Sequence, residues 1–186
     1  MNWRQLPNTI TVLRLLLAIP LVMLLLRAEY LWALFVMAIA GLSDGLDGWL
    51  ARRFDWRTRL GGYLDPLADK VLMVSVYLAV AWNGLLPAWL VAVVVAREAV
   101  IVSGAAAFHL LTRKLEMAPL MLSKLNTMAQ IALVLAVIVD AGVWPLPAQA
   151  VQVLLLLVLC TTVASGVAYV VAWSNKTLEW RRHGLD

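Results

Sequence analysis

Six long apolar stretches constrain the fold of this chain more than any other feature of its sequence. Each is close to the roughly 20 residues that an α-helix needs to cross the hydrocarbon core of a bilayer. They cover about residues 10–26, 30–50, 62–82, 86–111, 120–143 and 146–173. Because helices satisfy their own backbone hydrogen bonds in lipid, we expect an all-α membrane protein with six transmembrane helices. No linker separates them, so residues 1–186 are predicted to form a single domain.

The overall composition supports a membrane protein over a soluble one. Hydrophobic residues make up 63% of the 186 residues and charged residues 14%. Soluble domains are about 45–50% apolar and about 25% charged. We therefore expect membrane lipids, and no nucleic acid, among the partners of the chain.

The basic residues predict how the helices are oriented. They concentrate in the second-to-third and fourth-to-fifth connections and at the C-terminus. The opposite side has only Arg27, and cytoplasmic loops are the ones enriched in Lys and Arg. Both termini are therefore expected on the cytoplasmic side. The membrane is expected to be a bacterial inner membrane. Residues 1–8, which include Trp3 and Arg4, predict a short helix lying along the surface.

Four aspartates stand out in this apolar background: Asp44, Asp47, Asp65 and Asp69. A carboxylate at the centre of a membrane costs about 2.5–3.5 kcal/mol even on a mild insertion scale. Asp44 and Asp47 are three residues apart, and Asp65 and Asp69 are four apart, so each pair shares a helix face. Two helices joined by a short basic turn would place the pairs opposite each other, with the active site facing the cytoplasm.

This set of carboxylates predicts a site for two divalent cations. Ligands that offer only oxygen suit hard cations such as Mg²⁺ or Mn²⁺. Four carboxylates and two such ions are together close to neutral, and paired metals suit in-line displacement at phosphorus. Gly48 and Gly61 leave room for a ligand, and Arg52 is placed to bind a phosphate. Helix-end salt bridges are the alternative, which the regular spacing disfavours.

A cation channel or transporter is a second possible function for the same carboxylates. An ion path should place ionisable groups along the depth of the bundle. The aspartates instead cluster at one end beside arginines. This distribution disfavours conduction and favours an enzyme.

The aspartate run resembles the signature of the CDP-alcohol phosphatidyltransferase family. Every fixed position of that signature is present, and in order these are Asp44, Asp47, Gly48, Ala51, Arg52, Gly61, Asp65 and Asp69. The resemblance implies a homodimer of six-helix protomers. It also implies a metal-dependent enzyme that joins CDP-diacylglycerol to an alcohol and releases CMP.

Roles follow from the resemblance residue by residue. Asp44, Asp47 and Asp65 are expected to bind metal, and Asp69 to bind the second metal or act as the base. Asp65 and Asp69 are thus the predicted catalytic pair. The positions expected to contact the CDP moiety are Gly48, Ala51, Arg52 and Gly61, with Asn8 and Thr11 from the first span. For Asn8, a plain helix cap is the alternative.

The identity of the acceptor alcohol is predicted from weaker sequence patterns. Ser123-Lys124-x-Asn126-Thr127-x-x-Gln130 and the segment 161–165 resemble cardiolipin synthases, whereas Arg97-Glu98 is similar to phosphatidylglycerophosphate synthases. We favour phosphatidylglycerol as acceptor, giving cardiolipin, with glycerol 3-phosphate as the alternative.

The residues predicted to bind the acceptor are Lys124, Arg97, Ser123 and Asn126. Arg97 and Glu98 lie in the middle of an apolar span, where ionisable side chains are functional candidates. An ion pair satisfied inside the protein is the alternative for these two residues.

Overall fold

The protein is all-α in a computed structural model that describes residues 6–54, 61–112 and 121–183. Side chains are described at residues 13, 15–43, 45–46, 53–54, 68–106 and 121–175. No β-strand occurs within the described ranges. The predicted all-α class is therefore confirmed.

The described residues form six helices, which follow the six predicted stretches closely. They are α1 (Leu6–Leu26), α2 (Tyr30–Arg53), α3 (Gly61–Trp82), α4 (Ala88–Thr112), α5 (Met121–Gly142) and α6 (Ala148–His183). The largest difference is in α6, which has 36 residues and continues well past the predicted end at residue 173. The predicted surface helix is tested only at residues 6–8, which belong to α1; its other residues lie outside the described ranges.

Three of the described helical segments are long and apolar enough to cross a membrane. They are Ala88–Ala106, Met121–Gly142 and Ala148–Asn175. Shorter apolar segments lie in α1 and α2, at Leu15–Leu26 and Tyr30–Ser43. Large apolar side chains such as Trp32 and Leu156 are about 60% exposed, which suits contact with lipid tails. The six-span layout and the orientation of the termini stay predictions.

The first of two compact units contains α1, α2, α3 and the C-terminal part of α5 (Met1–Ala88 and Val134–Leu146). Within it, α1 packs against both α2 and α3. Leu21 and Leu25 of α1, and Tyr77 and Val80 of α3, are almost completely buried. This packing makes α1 the common support for the two helices that carry the aspartates.

Polar contacts join the helix ends on the side of the first unit away from the aspartates. The Asn83 side-chain amide after α3 donates to the Leu25 carbonyl at the end of α1 and lies 3.5 Å from the Tyr30 hydroxyl. The turn between α1 and α2 needs a positive φ at Ala28 (58°). Asn83 therefore ties the ends of α1 and α3 to the start of α2.

Gly142 allows α5 to approach the start of α2 closely. A Cβ atom at this glycine would overlap the Cβ atom of Tyr30 and press on its ring. Gly41, inside α2, has nothing near the position of its missing Cβ atom. The first glycine is thus required for packing and the second is not.

We predict that Gly142→Val destabilises the protein, because the added side chain must push Tyr30 away from α5. The expected cost is about 1–3 kcal/mol, the usual range for overpacking, measured by thermal unfolding in detergent. Gly41→Ala is the control, expected to be neutral or to stabilise α2 by about 0.5–1 kcal/mol. Equal melting temperatures for Gly142→Val and the wild type would contradict the predicted close contact.

The second unit contains α4, the N-terminal part of α5, and α6 (Trp89–Leu133 and Pro147–Asp186). Its apolar core includes Leu90, Val94, Leu133 and Val158. Among its described side chains, the buried polar or charged ones are Arg97, Asn126, Gln130, Thr162 and Ser165. This division into two compact units does not test whether residues 1–186 form a single domain, which stays a prediction.

Candidate functional site

The aspartates of the signature lie on two neighbouring helices in the sequence, as their spacing predicts. Asp44 and Asp47 belong to α2, and Asp65 and Asp69 belong to α3. Both helices are in the first unit and both pack on α1. Each pair therefore has the helical backbone that puts residues three or four apart on one face.

The side chain of Asp69 is the only one of the four carboxylates within the described side chains. It is half-buried and follows the buried Ala68. The other residues predicted to bind metal or CDP lie outside the set of described side chains. They are Asp44, Asp47, Asp65, Gly48, Ala51, Arg52, Gly61, Asn8 and Thr11. Their roles stay predictions.

The donor set on α2 and α3 fits hard divalent cations. It consists of four carboxylates, and every donor atom is oxygen. Mg²⁺ and Mn²⁺ prefer such donors, whereas softer metals favour His or Cys ligands. The residues that would hold the ions are Asp44, Asp47, Asp65 and Asp69.

A second polar cluster centres on Arg97 of α4, at the middle of the apolar segment Ala88–Ala106. Its side chain is 5% exposed and forms an ion pair with Glu98 through Nη1. Its Nη2 donates to the hydroxyl oxygens of Ser123 on α5 (2.6 Å) and Ser165 on α6 (2.7 Å). The guanidinium also lies 5.9 Å from the ring centre of Tyr169.

Apart from Nε, which has no hydrogen-bond partner among the described atoms, this geometry is the one expected of an ion pair satisfied inside the protein. A buried arginine needs a counter-charge and hydrogen-bond acceptors to offset its lost hydration. Glu98 supplies the charge, and the two serines supply acceptors from two other helices. Binding of the acceptor by Arg97 remains a sequence prediction.

Asn126 forms a polar contact with α6, one turn after Ser123. It is completely buried, and its side-chain carbonyl accepts hydrogen bonds from the hydroxyls of Thr161 and Thr162, both at 2.9 Å. Its Nδ2 has no hydrogen-bond partner among the described atoms. The side-chain oxygen of Asn126 therefore links helices, and its predicted contact with the acceptor is untested.

Lys124 has different surroundings from the other predicted acceptor residues. It lies in the first turn of α5 and is exposed. A surface cation at this position is available to an anionic ligand. The structure thus brings Arg97 and Ser123 into contact and leaves Lys124 exposed beside Ser123.

Sequence reasoning missed the partners on α6. The segment 161–165 resembles cardiolipin synthases in sequence, but that pattern does not reveal that its hydroxyl groups bond to α5 and α4. The available signal was the spacing of Thr161, Thr162, Ser165 and Tyr169 in an otherwise apolar helix. Hydroxyl groups in such helices often bond to neighbouring helices.

Comparison with known proteins gives one family match over most of the chain. The family model for CDP-alcohol phosphatidyltransferase matches residues 4–174. The chain is 30% identical to a probable cardiolipin synthase (CMP-forming) of Drosophila melanogaster, over 94% of this chain and 59% of that protein. It is 42% identical to a cardiolipin synthase (CMP-forming) of Streptomyces coelicolor, over 51% of this chain and 47% of that protein.

A relative named for a different activity is similar to a comparable degree. The chain is 34% identical to a chloroplastic CDP-diacylglycerol–glycerol-3-phosphate 3-phosphatidyltransferase of Oryza sativa subsp. japonica, over 89% of this chain and 56% of that protein. The chain spans about half the length of the curated relatives it matches. Similarity alone therefore does not separate the two acceptors.

We predict that Arg97→Gln destabilises the protein more than the double variant Arg97→Gln/Glu98→Gln. The single variant leaves the Glu98 carboxylate, which is 13% exposed, without its guanidinium. Breaking a fully buried pair costs about 3–5 kcal/mol, so the loss here should be at or below the lower end of that range. The double variant removes both charges. Denaturant unfolding in detergent measures the difference.

The control for this comparison is Lys124→Gln, which removes an exposed charge. It should change the unfolding free energy by no more than about 0.5 kcal/mol. An equal decrease in unfolding free energy in the single and double variants would contradict charge compensation by Glu98.

Proposed function

The chain belongs to the CDP-alcohol phosphatidyltransferase family, and we propose that it transfers a phosphatidyl group from CDP-diacylglycerol to a hydroxyl of phosphatidylglycerol. The products are cardiolipin and CMP. The observation that carries this proposal is the complete set of signature residues, with its aspartate pairs on α2 and α3. Both helices share α1 as their support, so one unit holds all four carboxylates.

The proposed reaction is a displacement at the lipid-bearing phosphorus. The acceptor oxygen forms a bond to that phosphorus, and the bond from phosphorus to the CMP oxygen breaks, leaving its electron pair on CMP. Asp69 takes the proton of the attacking hydroxyl as general base. Asp65, one helical turn earlier on α3, completes the catalytic pair.

Asp44, Asp47, Asp65 and Asp69 are proposed to hold two divalent ions, Mg²⁺ or Mn²⁺. When bound, such ions stabilise the negative charge on the pyrophosphate and on the leaving nucleotide. The residues proposed to bind the CDP moiety are Gly48, Ala51, Arg52 and Gly61, with Asn8 and Thr11 of α1. Arg52 supplies the cation of this group and is suited to phosphate oxygens.

Lys124 is the residue we propose to bind the phosphate of the acceptor. It is exposed, and both phosphatidylglycerol and glycerol 3-phosphate carry a phosphate for it to bind. The pattern of residues 123–130 supports phosphatidylglycerol. The rice relative supports glycerol 3-phosphate as the alternative acceptor.

The membrane arrangement is proposed from the charge distribution. Six spans with both termini in the cytoplasm would place the aspartates at the cytoplasmic surface of a bacterial inner membrane. Soluble CMP could then leave while the acyl chains of the lipid stay in the bilayer. The protein is proposed to form a homodimer, as the family resemblance implies.

The acceptor is tested with purified protein, CDP-diacylglycerol and Mg²⁺ or Mn²⁺. We expect CMP and cardiolipin with phosphatidylglycerol, and little product with glycerol 3-phosphate. CMP release and lipid products are followed together. Product only with glycerol 3-phosphate would replace the proposed acceptor, and no CMP with either alcohol would exclude the transferase function.

We predict that Asp65→Asn and Asp69→Asn each lower kcat by about 10²-fold or more. An amide at position 69 cannot take a proton as a carboxylate does, and an amide at position 65 lacks the negative charge that favours binding of a divalent cation. The control is Asp140→Asn at the end of α5. Asp140 accepts a hydrogen bond from the Leu146 amide at 2.7 Å, which an asparagine oxygen can also accept. Wild-type turnover in either active-site variant would remove that residue from the mechanism.

A further inference from the structure

Arg97 connects all three helices of the second unit through one nitrogen atom. Nη2 donates to Ser123 on α5 and to Ser165 on α6, while Arg97 itself is part of α4. Hydrogen bonds from a charged donor are about twice as strong as neutral ones. The two bonds therefore hold α5 and α6 at fixed positions relative to α4.

The guanidinium is poorly placed to bind a substrate directly. The side chain is only 5% exposed, and Glu98 already neutralises its charge. Tyr169 lies along it from α6. An incoming phosphate would have to compete with Glu98 for a guanidinium that is almost completely buried. The role of Arg97 is then in the bonds it makes to its neighbours.

The hydrogen bond from Arg97 to Ser123 restrains the start of α5. Ser123 is in the first turn, and Thr127 donates to its carbonyl at 3.1 Å. Consecutive residues on a helix point about 100° apart. Fixing the Ser123 hydroxyl against Arg97 therefore fixes the rotation of this turn, and with it the direction of the exposed Lys124.

From this geometry we infer that Arg97 is a positioning residue, acting through Ser123 to orient Lys124 toward the phosphate of the acceptor. The inference rests on the proposed function, in which Lys124 binds that phosphate. It assigns Arg97 and Ser123 an indirect part in acceptor recognition. The bond to Ser165 has another role, because it joins α4 to α6 and does not involve α5.

The two serines provide a matched pair of variants for the test. Ser123→Ala removes the link from Arg97 to α5 and keeps the link to α6. Ser165→Ala does the reverse. Both variants lose one hydroxyl bonded to the same nitrogen, so a general weakening of the cluster should affect both alike.

The experiment measures steady-state kinetics of the full chain in mixed micelles with CDP-diacylglycerol and each acceptor. For Ser123→Ala we expect the KM of the acceptor to rise about fivefold, with kcat and the KM of CDP-diacylglycerol within about twofold of wild type. Ser165→Ala should leave the acceptor KM unchanged. Ser123→Thr, which retains the hydroxyl, should keep the wild-type acceptor KM. A raised KM in this variant would count against the inference even if the alanine variant is too unstable to assay.

A second measurement separates positioning from direct contact. In a Lys124→Gln background, Ser123→Ala should have no further effect on the acceptor KM, because the side chain it orients is gone. A full additional fivefold rise would show that Ser123 acts without Lys124 and would overturn the inference. Equal effects of Ser123→Ala and Ser165→Ala, no effect of Ser123→Ala, or a raised acceptor KM in Ser123→Thr would also overturn it.

These failures differ from failure of the proposed function. If wild-type protein releases no CMP with either acceptor, the transferase proposal falls and the positioning role falls with it. If transfer occurs but the serine variants behave alike, only the positioning role is wrong.

Discussion

Charge compensation within an apolar helical protein is the constraint on which the rest of the structure depends. A charged side chain in such surroundings loses its hydration and must find opposite charge and hydrogen bonds inside the protein. The two terminal nitrogens of Arg97 meet this requirement with Glu98 and two serine hydroxyls, each serine from a different helix. The same requirement applies to the four aspartates, for which we propose metal ions as the compensating charge.

The two units meet this constraint in different ways. In the first unit the carboxylates are carried by α2 and α3, which share α1 as their support. In the second unit two buried polar groups link the helices: Arg97 joins α4 to α5 and α6, and Asn126 joins α5 to α6. Apolar packing in lipid does not by itself select a helix pairing, so such bonds help to specify which faces meet.

Much of the fold could be predicted from the sequence because each helix is a local structure. The apolar stretches marked all six helices, and the aspartate spacing correctly placed Asp44 and Asp47 on one helix and Asp65 and Asp69 on the next. Contacts between helices were harder to predict from the sequence. The approach of Tyr30 to Gly142 depends on side-chain shape at two distant positions, and the bond from Arg97 to Ser165 joins residues 68 positions apart.

The sequence by itself determined the helical class, the helix positions and the family, because hydropathy and motif spacing are properties of short segments and need no partner. It left two alternatives for Arg97, a ligand for the acceptor or part of an internal ion pair. Only the tertiary structure showed Glu98, Ser123, Ser165 and Tyr169 gathered around its guanidinium. The reason is physical: compensation of a buried charge depends on groups brought together from α4, α5 and α6, and their distances are set by packing.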